Sequence, residues 1–192
     1  YARFYTKGLR DMGYLNFDEP FLKLRHQGLI MAEDGRKMSK RYGNVINPDD
    51  IVESYGADTL RVYEMFMGPF QDSIAWNTQS MIGSRRFLER VWKLAAHAGD
   101  TPDESLERSL HRTIKKVSED IDLFKFNTAI STLMIFANEA EKKNLSKDQF
   151  GRFLQLLAPF APHIAEELWH EIGHIDSIQK FPFPIYDEDM LE

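Results

Sequence analysis

From residue 77 onward apolar side chains recur in steps of three and four, and no other feature of the sequence constrains the fold as strongly. Phe87, Val91, Leu94 and Ala98 form one stripe, and Leu106, Leu110, Ile114, Val117, Ile121 and Phe124 form a second. Phe126, Ile130, Leu133, Ala137 and Ala140 make a third. Phe153, Leu157, Phe160, Ile164 and Leu168 make a fourth, interrupted by Pro159 and Pro162. Such steps return to one face of an α-helix, and successive faces of this kind are stable only when buried against one another. The links, Gly99-Asp100-Thr101-Pro102 and Lys143-Asn144-Leu145-Ser146, are short and polar, which favours antiparallel neighbours. The expected fold class is mainly α, with a helical bundle over 76–180. Pro182 and Pro184 predict an extended tail over 181–192.

The first third reads differently. Residues 1–12 have the pattern of a helix end, with Gly13 as its stop. Leu29-Ile30-Met31 followed by Asp34-Gly35 predicts a short strand or hairpin over 28–38. Asn47-Pro48-Asp49-Asp50 is a helix start: Asn47 caps, Pro48 takes the first turn, and two carboxylates meet the positive end of the helix dipole. Gly56 ends that helix, and another runs from Ala57-Asp58 toward Gly68-Pro69.

The chain of 192 residues contains no cysteine, which excludes disulfides, cysteine-ligated metals and thiol catalysis. This composition fits a reducing cytoplasmic setting. No apolar run reaches the roughly 18 residues that span a bilayer, and no signal pattern opens the chain. It begins at Tyr1 inside a helix-like pattern and is read as part of something longer. The net charge of −6 argues against a wholly electrostatic nucleic-acid binder, but the charge is uneven. Residues 1–50 hold nine basic and seven acidic side chains, with Arg36, Lys37, Lys40 and Arg41 inside six positions. A second cluster is Arg85, Arg86, Arg90 and Lys93. Its two readings are contact with RNA phosphates and, given Glu89 among them, a salt-bridged solvated face.

Lys37-Met38-Ser39-Lys40-Arg41 is the strongest candidate for chemistry. Two ammonium groups stand three residues apart, Ser39 adds a hydroxyl, and Met38 is an apolar anchor. Gly43 permits a close turn and Asn44 can tie it locally. Such a segment suits a mobile loop that stabilises charge growing on a departing pyrophosphate. The plain reading is a surface turn.

Residues 35–61, GRKMSKRYGNVINPDDIVESYGADTLR, resemble the second signature of class I aminoacyl-tRNA synthetases and its downstream stretch. The fifth signature position is Arg41, where the family usually has serine. Met67-Gly68-Pro69-Phe70, Trp76 and RFLERVW over 86–92 are similar to the leucyl branch. FNTAI over 126–130 and LAPFAPHIAEELW over 157–169 resemble its helical anticodon-binding domain. The resemblance implies four parts. Residues 1–47 are the end of a Rossmann-type catalytic domain carrying the lysine loop. Residues 48–75 are a connector that touches the inside of the tRNA. The bundle over 76–180 faces the anticodon arm, and the tail follows.

The implied reaction is ATP-dependent activation of leucine, with Mg2+, and transfer of the leucyl group to tRNA(Leu). Lys37 and Lys40 hold the departing phosphates, Lys40 foremost. Met38 and Ser39 complete the ATP-binding loop, and the strand at 28–32 lies near the adenine. Arg85, Arg86, Arg90 and Lys93 are the candidate tRNA contacts. No resident metal site, no membrane and a monomeric state are expected. The family's first signature, a His-x-Gly-His turn, is not in this sequence, so the chain alone is expected to make no adenylate. Alternatives are a relative specific for isoleucine, valine or methionine, and a non-catalytic RNA-binding bundle.

His170-Glu171-Ile172-Gly173-His174 is an HExxH string that on a helix could hold zinc. Gly173 weakens the helix there, and the string is read as an exposed helix end. His26, His97, His111 and His163 read as ordinary surface or satisfied histidines. His163 with Glu167 reads as a capping or surface pair. Trp76, Trp92 and Trp169 read as core anchors rather than base-stacking platforms, and Met65, Met67 and Met81 as packing residues.

Overall fold

In the computed structural model, which describes residues 1–191, the apolar stripes lie on helices. The order is α1 (Ala2–Asp11), β1 (Ile30–Met31), α2 (Pro48–Tyr55), α3 (Ala57–Phe66), β2 (Ile74–Ala75), α4 (Met81–Ala95), α5 (Glu104–Asp122), α6 (Phe126–Ala140), α7 (Lys147–Leu157) and α8 (Pro162–Glu171). The mainly α class is as expected. Asn47 caps α2 by accepting from Asp49 N, and Asp103 caps α5 by accepting from Leu106 N at 2.9 Å. Ser146 and Gln149 close a capping box on α7. The links are knitted together: Gly99 N donates to Leu145 O at 2.9 Å and Lys147 N to Gly99 O at 2.8 Å. Leu145, in a link read as polar, is buried.

The stripes meet in one core. Val91 and Leu94 of α4, Leu110, Ile114 and Val117 of α5, Ile130 and Leu133 of α6, and Phe153 and Leu157 of α7 are all buried. Phe136 stacks on Phe153 at 5.2 Å between ring centres. The fourth stripe breaks where expected, while the first outruns α4, leaving Ala98 past its end, and the second outruns α5. Pro159 and Pro162 divide the fourth into α7 and α8, because a helix cannot absorb a proline ring in its interior. The second ends before Phe124, which has left the helix with φ 60° and meets Phe70 and Phe126 instead.

The expected hairpin exists: Gly35 has φ 74°, and Met31 and Lys37 form an antiparallel bridge. What the sequence did not announce is β2, which pairs parallel to β1 in the register Ile30–Ile74 and Met31–Ala75. Gly28 permits this approach, since a Cβ there would lie 1.8 Å from Asp72 O. The C-terminal tail is only partly extended. A 3-10 turn occupies Glu188–Met190, and Asp187 N donates to His111 Nδ1 at 2.8 Å. The HExxH string does not present two histidines on one helical face. The helix stops at Glu171, and the His174 ring stacks on Trp169 at 3.5 Å. His163 pairs with Asp58, 3.7 Å away, rather than with Glu167.

Helix α8 begins at Pro162, and Ala161 at its N-cap offers no side-chain cap. Asp58 of α3 supplies it across 106 positions of sequence: Oδ2 accepts from Ile164 N at 2.8 Å, and Oδ1 accepts from Arg61 at 3.0 Å. The carboxylate is buried and joins the segment after the lysine loop to the bundle. At the other end Glu107 accepts two hydrogen bonds from Arg152, at 2.7 and 2.9 Å, and one from Gln149 at 2.9 Å. Burial alone would push the Glu107 carboxyl up. The Arg152 and Gln149 hydrogen bonds and the Arg152 charge outweigh it and hold the group below the ordinary glutamate range.

Asp58→Ala should cost about 1–3 kcal/mol in urea denaturation, because α8 loses its cap and Arg61 its partner, while Asp58→Asn should cost less. A lowered folded-state pKa means that the Glu107 contribution is complete above about pH 4.3, the ordinary glutamate value, and is lost as pH falls through the lower folded value. Glu107→Gln should flatten the stability profile in that acid range; an unaltered acid limb would show that the Arg152 pair carries no linkage.

Candidate functional site: a lysine loop joined to a basic helix

Lys37 closes the hairpin root through its bridge to Met31, and Ser39 begins a 3-10 turn over Lys40–Tyr42. Ser39 Oγ accepts from Arg41 N at 3.2 Å, so its own proton remains available to a ligand. Gly43 ends the turn with φ 62°. Asn44 ties the loop across its neck: its Oδ1 accepts from Ser39 N at 2.9 Å and its Nδ2 donates to Lys37 O at 3.4 Å.

Four cations within six residues have different situations. Arg36 is engaged by Asp34, with contacts of 2.6 and 2.8 Å, and lies 5.0 Å over the Tyr42 ring. The Arg36 side chain and backbone N–H hold the Asp34 carboxyl below its usual range. Lys37, Lys40 and Arg41 are exposed and make no ion pair among the described residues. The loop therefore presents positive charge that no carboxylate neutralises, beside a hydroxyl.

Met38 turns inward. It packs on a small apolar cluster of Tyr63, Trp76 and Met81, with Ile46, Ile51, Tyr55 and Leu60 around it. Tyr63 and Trp76 meet edge to face at 5.0 Å. Burial pushes the Tyr63 phenol up, partly offset by the hydrogen bond that its oxygen accepts from Asn77 N at 2.8 Å. Trp76 Nε1 donates to Thr78 Oγ1 at 2.9 Å, and Thr78 donates to Glu33 at 3.1 Å. Met81 is the first residue of α4, so one cluster holds both the loop and the root of that helix.

The four basic residues of α4 do not act alike. Arg90 reaches across to α6, donating to Asn138 Oδ1 and lying 3.3 Å from Glu141. Arg85 donates to Glu89 at 2.8 Å and to Tyr55 O at 3.1 Å. Arg86 and Lys93 are exposed and have no ion pair among the described residues. Trp76 and Trp169 are buried as expected, but Trp92 is 50% exposed. Its place one step off the Phe87–Val91–Leu94 stripe was the signal in the sequence. Met65, Met67 and Met81 pack as expected. The Asp58 cap and the Glu33–Thr78 clasp were not foreseen. An alanine before Pro162, with no capping side chain of its own, is the trace that the cap leaves in the sequence.

Residues 5–77 match the family described as tRNA synthetases class I (I, L, M and V), and residues 103–192 match the anticodon-binding domain of tRNA ligase. The whole chain is 51% identical to a leucine–tRNA ligase of Leptospira biflexa serovar Patoc, but spans only 23% of that protein. Among solved structures, the LeuRS of Agrobacterium radiobacter K84, in a ternary complex with tRNA and LeuAMS, superposes with a TM-score of 0.87 at 34% identity. That likeness covers 100% of this chain and 28% of the other. A methionyl-tRNA synthetase of Mycobacterium tuberculosis, in complex with methionyl-adenylate, shares the fold with a TM-score of 0.53 at 18% identity, over 71% of this chain and 35% of its own.

If Asn44 is the tie that orders the loop, Asn44→Ala should speed amide exchange at Ser39 by about five- to tenfold, the effect of one hydrogen bond, with global melting little changed. Unchanged exchange at Ser39 would show that Met38 packing alone holds the loop.

Proposed function

Because the chain belongs to the class I aminoacyl-tRNA synthetases and matches their leucine–tRNA ligases along its whole length, we propose that it serves leucine activation and transfer to tRNA(Leu) as part of a larger enzyme. The observation that carries this reading is the pair of unneutralised ammonium groups, Lys37 and Lys40, on a loop seated by Met38. In the reaction a leucine carboxylate oxygen attacks the α-phosphorus of ATP, the bond to the bridging oxygen breaks, and pyrophosphate leaves with the electron pair. Negative charge grows on the departing group, and cations fixed beside it lower the barrier more than they lower the ground state. Lys40 takes the foremost role and Lys37 the second, while Ser39 donates its free proton to a phosphate oxygen. The leucyl group then passes to a ribose hydroxyl at the tRNA 3′ end.

Residues 1–47 contribute the end of the catalytic domain, with the segment 28–32 that contains β1 beside the adenine. Residues 48–75 form the connector, 76–180 the tRNA-facing bundle, and 181–192 the tail. Phe4, Tyr5, Tyr14 and Phe21 are largely exposed, an apolar surface suited to packing on the rest of the parent enzyme. Mg2+ would travel with the ATP phosphates. Mg2+ bound in this way would be held largely by phosphate oxygens and water. No helix among the described residues is long and apolar enough to cross a membrane. On the leucine–tRNA ligase reading we place the enzyme in the cytoplasm, acting as a monomer. Arg86 and Lys93 are the contacts favoured for tRNA phosphates, with Arg85 beside them. Arg90 serves mainly to brace α4 on α6.

In the full-length enzyme Lys40→Ala should slow single-turnover leucyl-adenylate formation about a hundredfold or more, with leucine affinity nearly unchanged. Equal activation rates would refute the phosphate-gripping role.

A further inference from the structure

We propose that the cleft between α4 and the α3–α8 joint is a nucleotide niche, in which Trp92 stacks on one unpaired base of the bound tRNA. The proposal rests on the reading of α4 as an RNA face. Trp92 differs from its two counterparts. Trp76 and Trp169 are buried, and their indole N–H groups donate to Thr78 Oγ1 and to Asp176 O. Trp92 is half exposed, and its N–H has no partner among the described residues. It walls a cleft of about 470 Å3, with Leu88 and Ile164 beside it and Arg85 and His163 at the rim. That volume lies within the roughly 300–1,000 Å3 that bound small molecules occupy.

The polar groups favour a base over a polyphosphate. Arg85 is fixed in place by Tyr55 O and by Glu89, so it offers a preset donor with its charge already shared. His163 is largely exposed and lies 3.7 Å from Asp58. Glu89 and Glu167 also line the cleft and would repel clustered phosphates. A nucleobase suits this setting, since it has a broad apolar face for the indole and a neutral edge of donors and acceptors for Arg85 and His163. The uncompensated charge lies on the neighbouring stripe of α4, at Arg86 and Lys93. A strand whose phosphates follow Arg86 and Lys93 can turn one base over the helix onto Trp92. Stacking of this kind accepts any base and adds affinity without reading sequence.

The test is equilibrium binding of tRNA(Leu) to the full-length enzyme at fixed salt, with four variants. Trp92→Ala should weaken binding about tenfold or more, the loss of one base stack. Trp92→Phe keeps an aromatic face and should stay within about threefold of the parent. Trp92→Leu keeps apolar volume without a ring and should resemble Trp92→Ala. Paired reversal, Arg86→Glu with Lys93→Glu, should also weaken binding and lessen its salt dependence. If the reversal weakens binding and Trp92→Ala does not, the niche is wrong and the RNA face stands. If neither weakens it, both readings fail. If Trp92→Leu binds as well as Trp92→Phe, the side chain packs rather than stacks, and the niche is again overturned. A further check is independent of substitutions that harm folding: tRNA should shield from iodide a share of the tryptophan fluorescence that is missing in Trp92→Phe, and unshielded emission would contradict the niche.

Discussion

Burial of Met38 against Tyr63, Trp76 and Met81 is the contact on which the arrangement depends. It is small, but it takes one residue from the lysine loop, one from α3, one from the end of β2 and one from the first turn of α4. A loop that carries free ammonium groups gains nothing from its neighbours electrostatically. Like charges at positions 37, 40 and 41 repel one another, and apolar burial, the Asn44 tie, the Met31–Lys37 bridge and the Ser39 cap hold them at a common site. The same burial fixes the root of the helix that bears Arg86, Trp92 and Lys93. The loop proposed to grip phosphate and the face proposed to meet RNA are therefore built from one joint, continued by the Asp58 cap that carries α3 onto α8.

Much of the fold was legible because the helices announce themselves at short range. The Leu106–Val117 stripe and the Asn47-Pro48 start each lie within about three helical turns, where local spacing decides which face is buried and where the helix begins. The misses have a common cause, which is contact between residues far apart in the chain. A two-residue strand such as Ile74–Ala75 has no periodicity to detect, and its partner lies 44 positions upstream. Asp58 looks like an ordinary first-turn acid until α8 is placed beside it. The tail was read as extended from its prolines, but His111 and the core give it a reason to turn back.

The candidate site divides in the same way. The loop was recognisable as an ordered string, and the local hydrogen bonds of Asn44 and Gly43 follow from residue type. The α4 cluster was not resolvable from sequence, because Arg86 and Arg90 look alike until Asn138 and Glu141 claim one of them. Trp92 was misread for a related reason. Tryptophan usually lies inside, and only its offset from the Phe87–Val91 stripe argued otherwise.

Pyrophosphorolysis tests the central claim most directly, because it reads the grip on the leaving group without the forward chemistry. Preformed leucyl-adenylate on the full-length enzyme is mixed with increasing pyrophosphate, and the rate of ATP formation is followed to saturation. If Lys37 and Lys40 hold the diphosphate, replacing both with alanine should raise the pyrophosphate concentration at half-saturation and lower the limiting rate. Saturation at the parent concentration with the parent rate would contradict the account.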